Sequence, residues 1–376
     1  MNSFAQKSRY GRRCGFTLIE MLVAVSILAL IMVMAAQMIG ATSKLWKNTT
    51  SKIEAFQSAR DGFQLMTDEL RQATLNTYWD YFDSTGLSAR FTAQNPFIPA
   101  AYGRQSDLDF RCGQGAGGLE VTQTDGIYFQ APLGYVAAPA TYGNLQNLLN
   151  SVGFWIQASD GTNVLNASPP FMGVTPAYRY RLMQLIQPSE SNQIFKYSLT
   201  SGTTAKAWLL NAFGTSALQA TNVRIVANNI IGLVIWPKSS DSPTDSLSTD
   251  YSYESRLGLK SGAAVPNTVW KPGIGSQPLQ MNQMPPLIRI AMVAIDEASA
   301  KLIVPNASNE SDAIATAITQ INSSTGQPLF TVSQYMDSDL LYFQYGPQGL
   351  ATISPRLNFR VFSTTVVVKS ARFSTQ

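Results

Sequence analysis

The chain has 376 residues, is 45% hydrophobic and 13% charged, and carries 27 basic against 23 acidic side chains for a net charge of +4. It has no histidine, which excludes His-based triads, His metal sites and His general bases. Four of the positive charges, Lys7, Arg9, Arg12 and Arg13, lie in residues 1–15, which hold no acid; the remaining 23 basic residues balance the 23 acidic ones, so nothing global favours nucleic acid as a partner.

Chain order begins with a basic leader that runs to Gly15 and meets a long apolar segment. From Met21 to Ala36 only Ser26 carries a strong polar group. As a helix, the 24 residues of Phe16–Ile39 span about 36 Å, enough for a bilayer core of roughly 30 Å. Glu20 sits near the start of that segment. A carboxylate deep in a bilayer costs on the order of 3 kcal/mol, less near the interface, and such acids usually have a partner. Cleavage after Gly15 would free the amine of Phe16, four residues ahead, which the Glu20 of a neighbouring subunit could meet on assembly. Two other readings of the segment exist. One is a plain signal anchor whose Glu20 snorkels to the interface. The other is a secretory signal peptide cut near Ala35-Ala36, against which stand the length of the apolar run and the acid inside it. The leader positives set the topology as N-terminus cytoplasmic, body outside.

The run Gly15-Phe16-Thr17-Leu18-Ile19-Glu20-Met21-Leu22-Val23 resembles the type IV prepilin cleavage and methylation motif. The resemblance implies cleavage after Gly15 by a prepilin peptidase, N-methylation of Phe16, and a role for Glu20 in docking the helix into a filament. It also implies an inner-membrane protein partnered by other pilin or pseudopilin subunits; from the residues themselves no cofactor and no metal are expected. Many type IV pilins have a C-terminal disulfide loop. Here Cys14 would leave with the leader and Cys112 would stand alone, so no intramolecular disulfide forms. That departure favours a minor or pseudopilin-like subunit. Cys112 itself reads as a small buried apolar side chain.

Beyond the membrane segment (16–40), a stem is expected over 41–78. Phe56, Ala59, Phe63, Met66, Leu70 and Ala73 recur at helical spacing and form one apolar stripe. Gly40 and Gly62 are the weak points of the helix, where a bend is easiest. The stem ends in Tyr78-Trp79-Asp80-Tyr81-Phe82, read as aromatics wedged into the head core in preference to a partner-binding ridge.

Residues 79–376 then turn β-rich. Strands are expected at 106–112, 125–131, 152–158, 178–187, 222–227, 230–236, 286–295, 340–345 and 357–369, and short helices at 143–150, 205–213 and 311–321. The mostly apolar Leu287–Ile295 reads as a central strand. Residues 238–285, rich in Ser, Thr, Pro, Gly, Asn and Asp, read as a long surface loop or insertion. The fold class is therefore α+β: a long N-terminal helix, half in the membrane and half an amphipathic stem, packed on a β-rich head. Met284–Val293 resembles the proline-led strand of the minor pseudopilins called type II secretion protein J. Ala73–Tyr81, Tyr180–Met183, Asn228–Lys238 and Arg360–Thr365 resemble the prepilin-like group named Verru_Chthon cassette protein C.

Candidate chemistry in the head is sparse. Gly113–Gly118 fits G-x-G-x-x-G, but a strand and turn come next where the dinucleotide fingerprint needs a helix, so it reads as a loop. Asp107 and Asp109 fall on one face of an expected strand, and Asp241, Asp245 and Asp250 cluster in the long loop. Their spacing does not match an EF-hand, and they read as solvated acids rather than a calcium site. Asp296 and Glu297 are adjacent, a poor arrangement for paired acid–base work. The chain is expected to be a structural subunit and not an enzyme; the alternative is a membrane-tethered extracytoplasmic binding protein that uses its helix only as an anchor.

Overall fold

The computed structural model describes residues 17–84, 96–118, 124–138, 141, 147–167, 178–196, 206–240, 247, 251–256, 277–303 and 358–373. The chain divides after Ile53 into two compact units. Helix α1 is one continuous element, Leu18–Leu70, of 53 residues. It contains no proline, and neither Gly40 nor Gly62 breaks it. Its side chains from Leu18 to Met38 are exposed on every side.

In the second unit, α1 carries the apolar stripe read from the sequence. Ala59, Met66 and Leu70 are fully buried, and Phe63 meets Phe362 with ring centroids 6.0 Å apart. Gly62 is a contact point: a Cβ there would lie 2.9 Å from Val226 and 3.2 Å from the Ala227 methyl. Helix and sheet approach more closely than a side chain allows. The helix ends at Leu70, eight residues before the expected end of the stem. Its last turns tighten, with the amides of Gln72 and Ala73 bonding back three residues to Glu69 and Leu70.

From Tyr78 the backbone is extended. β1 (Tyr78–Phe82) pairs antiparallel with β2 (Ala101–Gln105). A six-stranded antiparallel sheet is built from β3 (Arg111–Gln114), β4 (Asp125–Ala131), β5 (Asn150–Ser159), β6 (Arg179–Ile186), β7 (Val223–Asn228) and β9 (Tyr253–Glu254), in the order β7-β6-β5-β4-β3-β9. A three-stranded sheet takes β8 (Ile230–Lys238), β10 (Leu287–Ile295) and β11 (Phe359–Val367), with β10 central. The chain crosses between these sheets at Asn229, in the left-handed region with φ 61°. Its amide donates to Tyr180 and its carbonyl accepts from Ile295, so the crossing is tied to both sheets.

The core lies between the two larger sheets. Every residue of β4 and of β8 is buried, as the apolar runs there require. Pro237 sits in β8, which is an edge strand, where the missing amide removes no ladder bond. Gly153 pairs with Tyr128 across β4–β5, and a Cβ would lie 2.3 Å from the ring. The ring fills that space and stacks on Phe213, which also stacks on Trp155 at 4.9 Å.

Short helices α2 (Ala207–Phe213), α3 (Ser216–Asn222) and α4 (Glu297–Ile303) complete the described head. The first matches the helix expected over 205–213, while the sequence reading holds no counterpart of α3 and α4. Thr215 caps α3, its hydroxyl accepting from the Leu218 amide. The expected helix at 143–150 falls largely outside the described residues, and Asn150 already opens β5. The helix at 311–321 and the strand at 340–345 lie outside them. The stretch 238–285 is not simply a surface loop. Its described part includes β9, which closes one edge of the six-stranded sheet with Tyr253 and Ser255 buried.

Candidate functional site

Gly15 and Phe16 lie outside the described residues; Glu20 is in the first turn of α1. Its carboxylate accepts from the Thr17 amide at 2.8 Å and from the Thr17 hydroxyl at 2.9 Å, while the Thr17 oxygen accepts from the Glu20 amide at 3.3 Å. This is a reciprocal capping box, which satisfies amides that a helix start leaves without partners. The uncut chain therefore gives Glu20 a partner within its own helix. The Thr-x-x-Glu spacing is the sequence signal for such a box, a reading the lipid argument alone does not reach. Further on, Ser26 turns its hydroxyl back to the Val23 carbonyl at 2.8 Å, which removes the one other polar group from the apolar surface.

The helix is long and apolar enough to cross a membrane. Its first half presents apolar side chains on every face. Such a surface suits lipid or the matching helices of other subunits.

Residues 11–36 match a family model described as the prokaryotic N-terminal methylation motif. The match covers the leader junction, the capping box and most of the apolar run. It supports a type IV pilin-like, structural protein that is processed at its N-terminus, and together with the apolar helix it fits membrane anchoring. No curated protein matches the chain.

In the head, the aromatics after the stem do not act as the wedge expected of them. The two-residue period of β1 buries Phe82 and turns Trp79 and Tyr81 outward, 48% and 55% exposed. Tyr102 on β2 joins them, 5.1 Å from Trp79 and 5.2 Å from Tyr81 between ring centroids. The result is an exposed three-ring ridge.

The acids singled out in the sequence separate. Asp107 lies outside any strand, its carboxylate held by the Asn76 amide at 3.0 Å and the Tyr78 hydroxyl at 3.1 Å. Asp109 is fully buried, accepting from Arg111 at 2.9 Å, Trp208 at 2.8 Å and Ser255 at 3.1 Å. Burial alone would raise its carboxyl, but the guanidiniums of Arg111 and Arg256 and the hydrogen bonds from Trp208 and Arg111 hold it below the usual carboxylate range. Arg111 also pairs with Glu254 at 2.5 Å, which ties β3 to β9. Asp241, Asp245 and Asp250 lie outside the described residues. Asp296 caps α4 through the Ser299 amide, while Glu297 pairs with Arg179 at 2.5 Å. Residues 115–118 of the glycine-rich stretch form a turn after β3, as expected for a loop.

Glu69 ends the stem as a buried acid. Burial pushes its carboxyl up to about 7, against the opposing pull of Arg224 and the 2.6 Å hydrogen bond from Gln184. A folded value above the unfolded 4.5 means that protonation favours the fold. The contribution is complete below pH 4.5 and is lost as pH rises through about 7. Glu69→Gln should therefore leave stability little changed at pH 4 and raise it at pH 8 by about 1–3 kcal/mol, as measured by denaturant unfolding at the two pH values.

Proposed function

We propose that the chain is a minor pilin or pseudopilin-like subunit, processed after Gly15 by a prepilin peptidase, methylated on Phe16 and assembled through α1 into a type IV pilus or a type II secretion-like pseudopilus. The single observation that carries this is the methylation motif over residues 11–36, which runs into a helix apolar and long enough to cross a membrane. In the precursor the Glu20 carboxylate is engaged by Thr17. After cleavage it meets the Phe16 amine of a neighbouring subunit, so two charges costly alone in lipid offset one another. The N-terminus stays cytoplasmic and the head extracytoplasmic, as the leader positives direct. A sizeable head and a lone Cys112 favour a minor subunit over a repeating one.

Mass spectrometry of the N-terminal peptide tests the processing. Protein recovered from cells that contain the peptidase should begin at methylated Phe16. A start at Met1, or beyond Ala36, would remove the basis for this reading. The exposed ridge of Trp79, Tyr81 and Tyr102 also suits a tethered binding protein, in which α1 is only an anchor. Substitution of Glu20 separates the two.

A further inference from the structure

The end of the stem and the end of the chain enclose an open cleft of about 650 Å³ in the head. One wall is the 74–78 segment with Asp107, and the other is the turn at 369–372 just after β11. Both walls are fixed. The Asn76 side-chain oxygen accepts from the amides of Asp107 and Leu108 at 3.0 and 3.2 Å and from the Ser106 hydroxyl at 2.9 Å. Opposite, the Val368 amide donates to Pro286 at 3.0 Å and the Ala371 amide to Val368 at 3.2 Å. The Ser370 hydroxyl donates to the Ala73 carbonyl and joins the walls.

The charges in this cleft are unevenly matched. Lys369 and Arg372 both line it and are exposed, and among the described residues neither side chain makes an ion pair. Asp107 faces the same cleft with both oxygens already accepting hydrogen bonds from its own wall. We infer that this cleft binds a carboxylate-bearing extended peptide segment of a partner protein, with Lys369 and Arg372 as the carboxylate receptors. Two cations three residues apart suit one or two carboxylates, and an arginine can take one in a bidentate fork. Asp107 on the facing wall keeps acceptor capacity for the N–H groups of a peptide backbone. The volume accommodates a few residues of chain and not a folded domain.

The inference is independent of processing at Gly15, because its test needs only the folded head. Full-length protein in detergent micelles is titrated with an acetylated and amidated tetrapeptide containing two glutamates, with its glutamine counterpart, with a neutral peptide bearing a free C-terminus, and with inorganic phosphate. Binding of either carboxylate peptide is expected, the tighter of the two showing whether side chain or chain terminus is the source. The Lys369→Gln/Arg372→Gln double variant, both sites being exposed, should fold normally and weaken that binding about tenfold or more. Raising salt well above about 0.15 M should weaken it further. Equal binding of the glutamine peptide, indifference to the double variant, or displacement by phosphate at matching concentration would each overturn the assignment.

Discussion

Replacing Glu20 by leucine should leave the protein in the membrane fraction and remove it from complexes with partner subunits. Insertion depends on the apolar run, which the change lengthens. Assembly, on the proposed reading, depends on the charge. The capping box supplies a competing explanation, in which Glu20 serves only its own helix through Thr17. Glu20→Gln distinguishes them, since glutamine also serves at this position of a capping box but carries no charge. Loss of co-purification in both variants, by at least about tenfold, supports pairing with a terminal amine. If the glutamine form co-purifies normally, the carboxylate acts as a cap and the assembly role is wrong.

The second large effect is expected at Asp109. Alanine there leaves Arg111 and Arg256 buried without their shared counter-charge and strips an acceptor from Trp208 and Ser255. Breaking a buried charge network in this way costs about 3–5 kcal/mol. A loss of that size lowers the melting temperature by roughly 10 °C in a head of this length. Calorimetry of Asp109→Ala alongside Asp107→Ala checks it, because Asp107 is only half-buried and its loss should be mild. A fall of less than about 1 kcal/mol at Asp109 would show that the pair is worth no more than a surface ion pair. The same network imposes a pH limit. With the Asp109 carboxyl held below its unfolded value of 3.8, its contribution is present above that pH and disappears as pH drops through the folded value.

Periodic features were legible from residue order. The stripe from Phe56 to Leu70 lies buried or partly buried, and the apolar run at Leu287–Ile295 is the central strand β10. β4 falls at its expected residues. These depend on local repeats of hydrophobicity, which the chain states directly. Partnerships between distant residues were not legible. Asp109 and Trp208 are 99 positions apart, and Arg111 and Glu254 are 143 apart, so a fully buried acid resembled a solvated one. β9 contributes two residues, too few to show a period, in a stretch whose composition signals loop. The aromatic cluster misleads for a simpler reason. Its four aromatics in five positions read as one apolar mass, while a strand sends alternate side chains to opposite faces, which exposes Trp79 and Tyr81. At the N-terminus the motif is legible in full, but the Thr17–Glu20 box within it is hidden as long as the acid is weighed only against lipid and a neighbour.

A chain that starts at Phe16 keeps a single thiol, Cys112, 2% exposed in β3 and facing the Tyr251 carbonyl across the seam with β9. A maleimide can reach that sulfur only when the packing around β3 opens, and the Tyr251 carbonyl lies against it. The rate at which the reagent attaches is thus a clock for local opening around β3, readable on intact membranes without adding a probe.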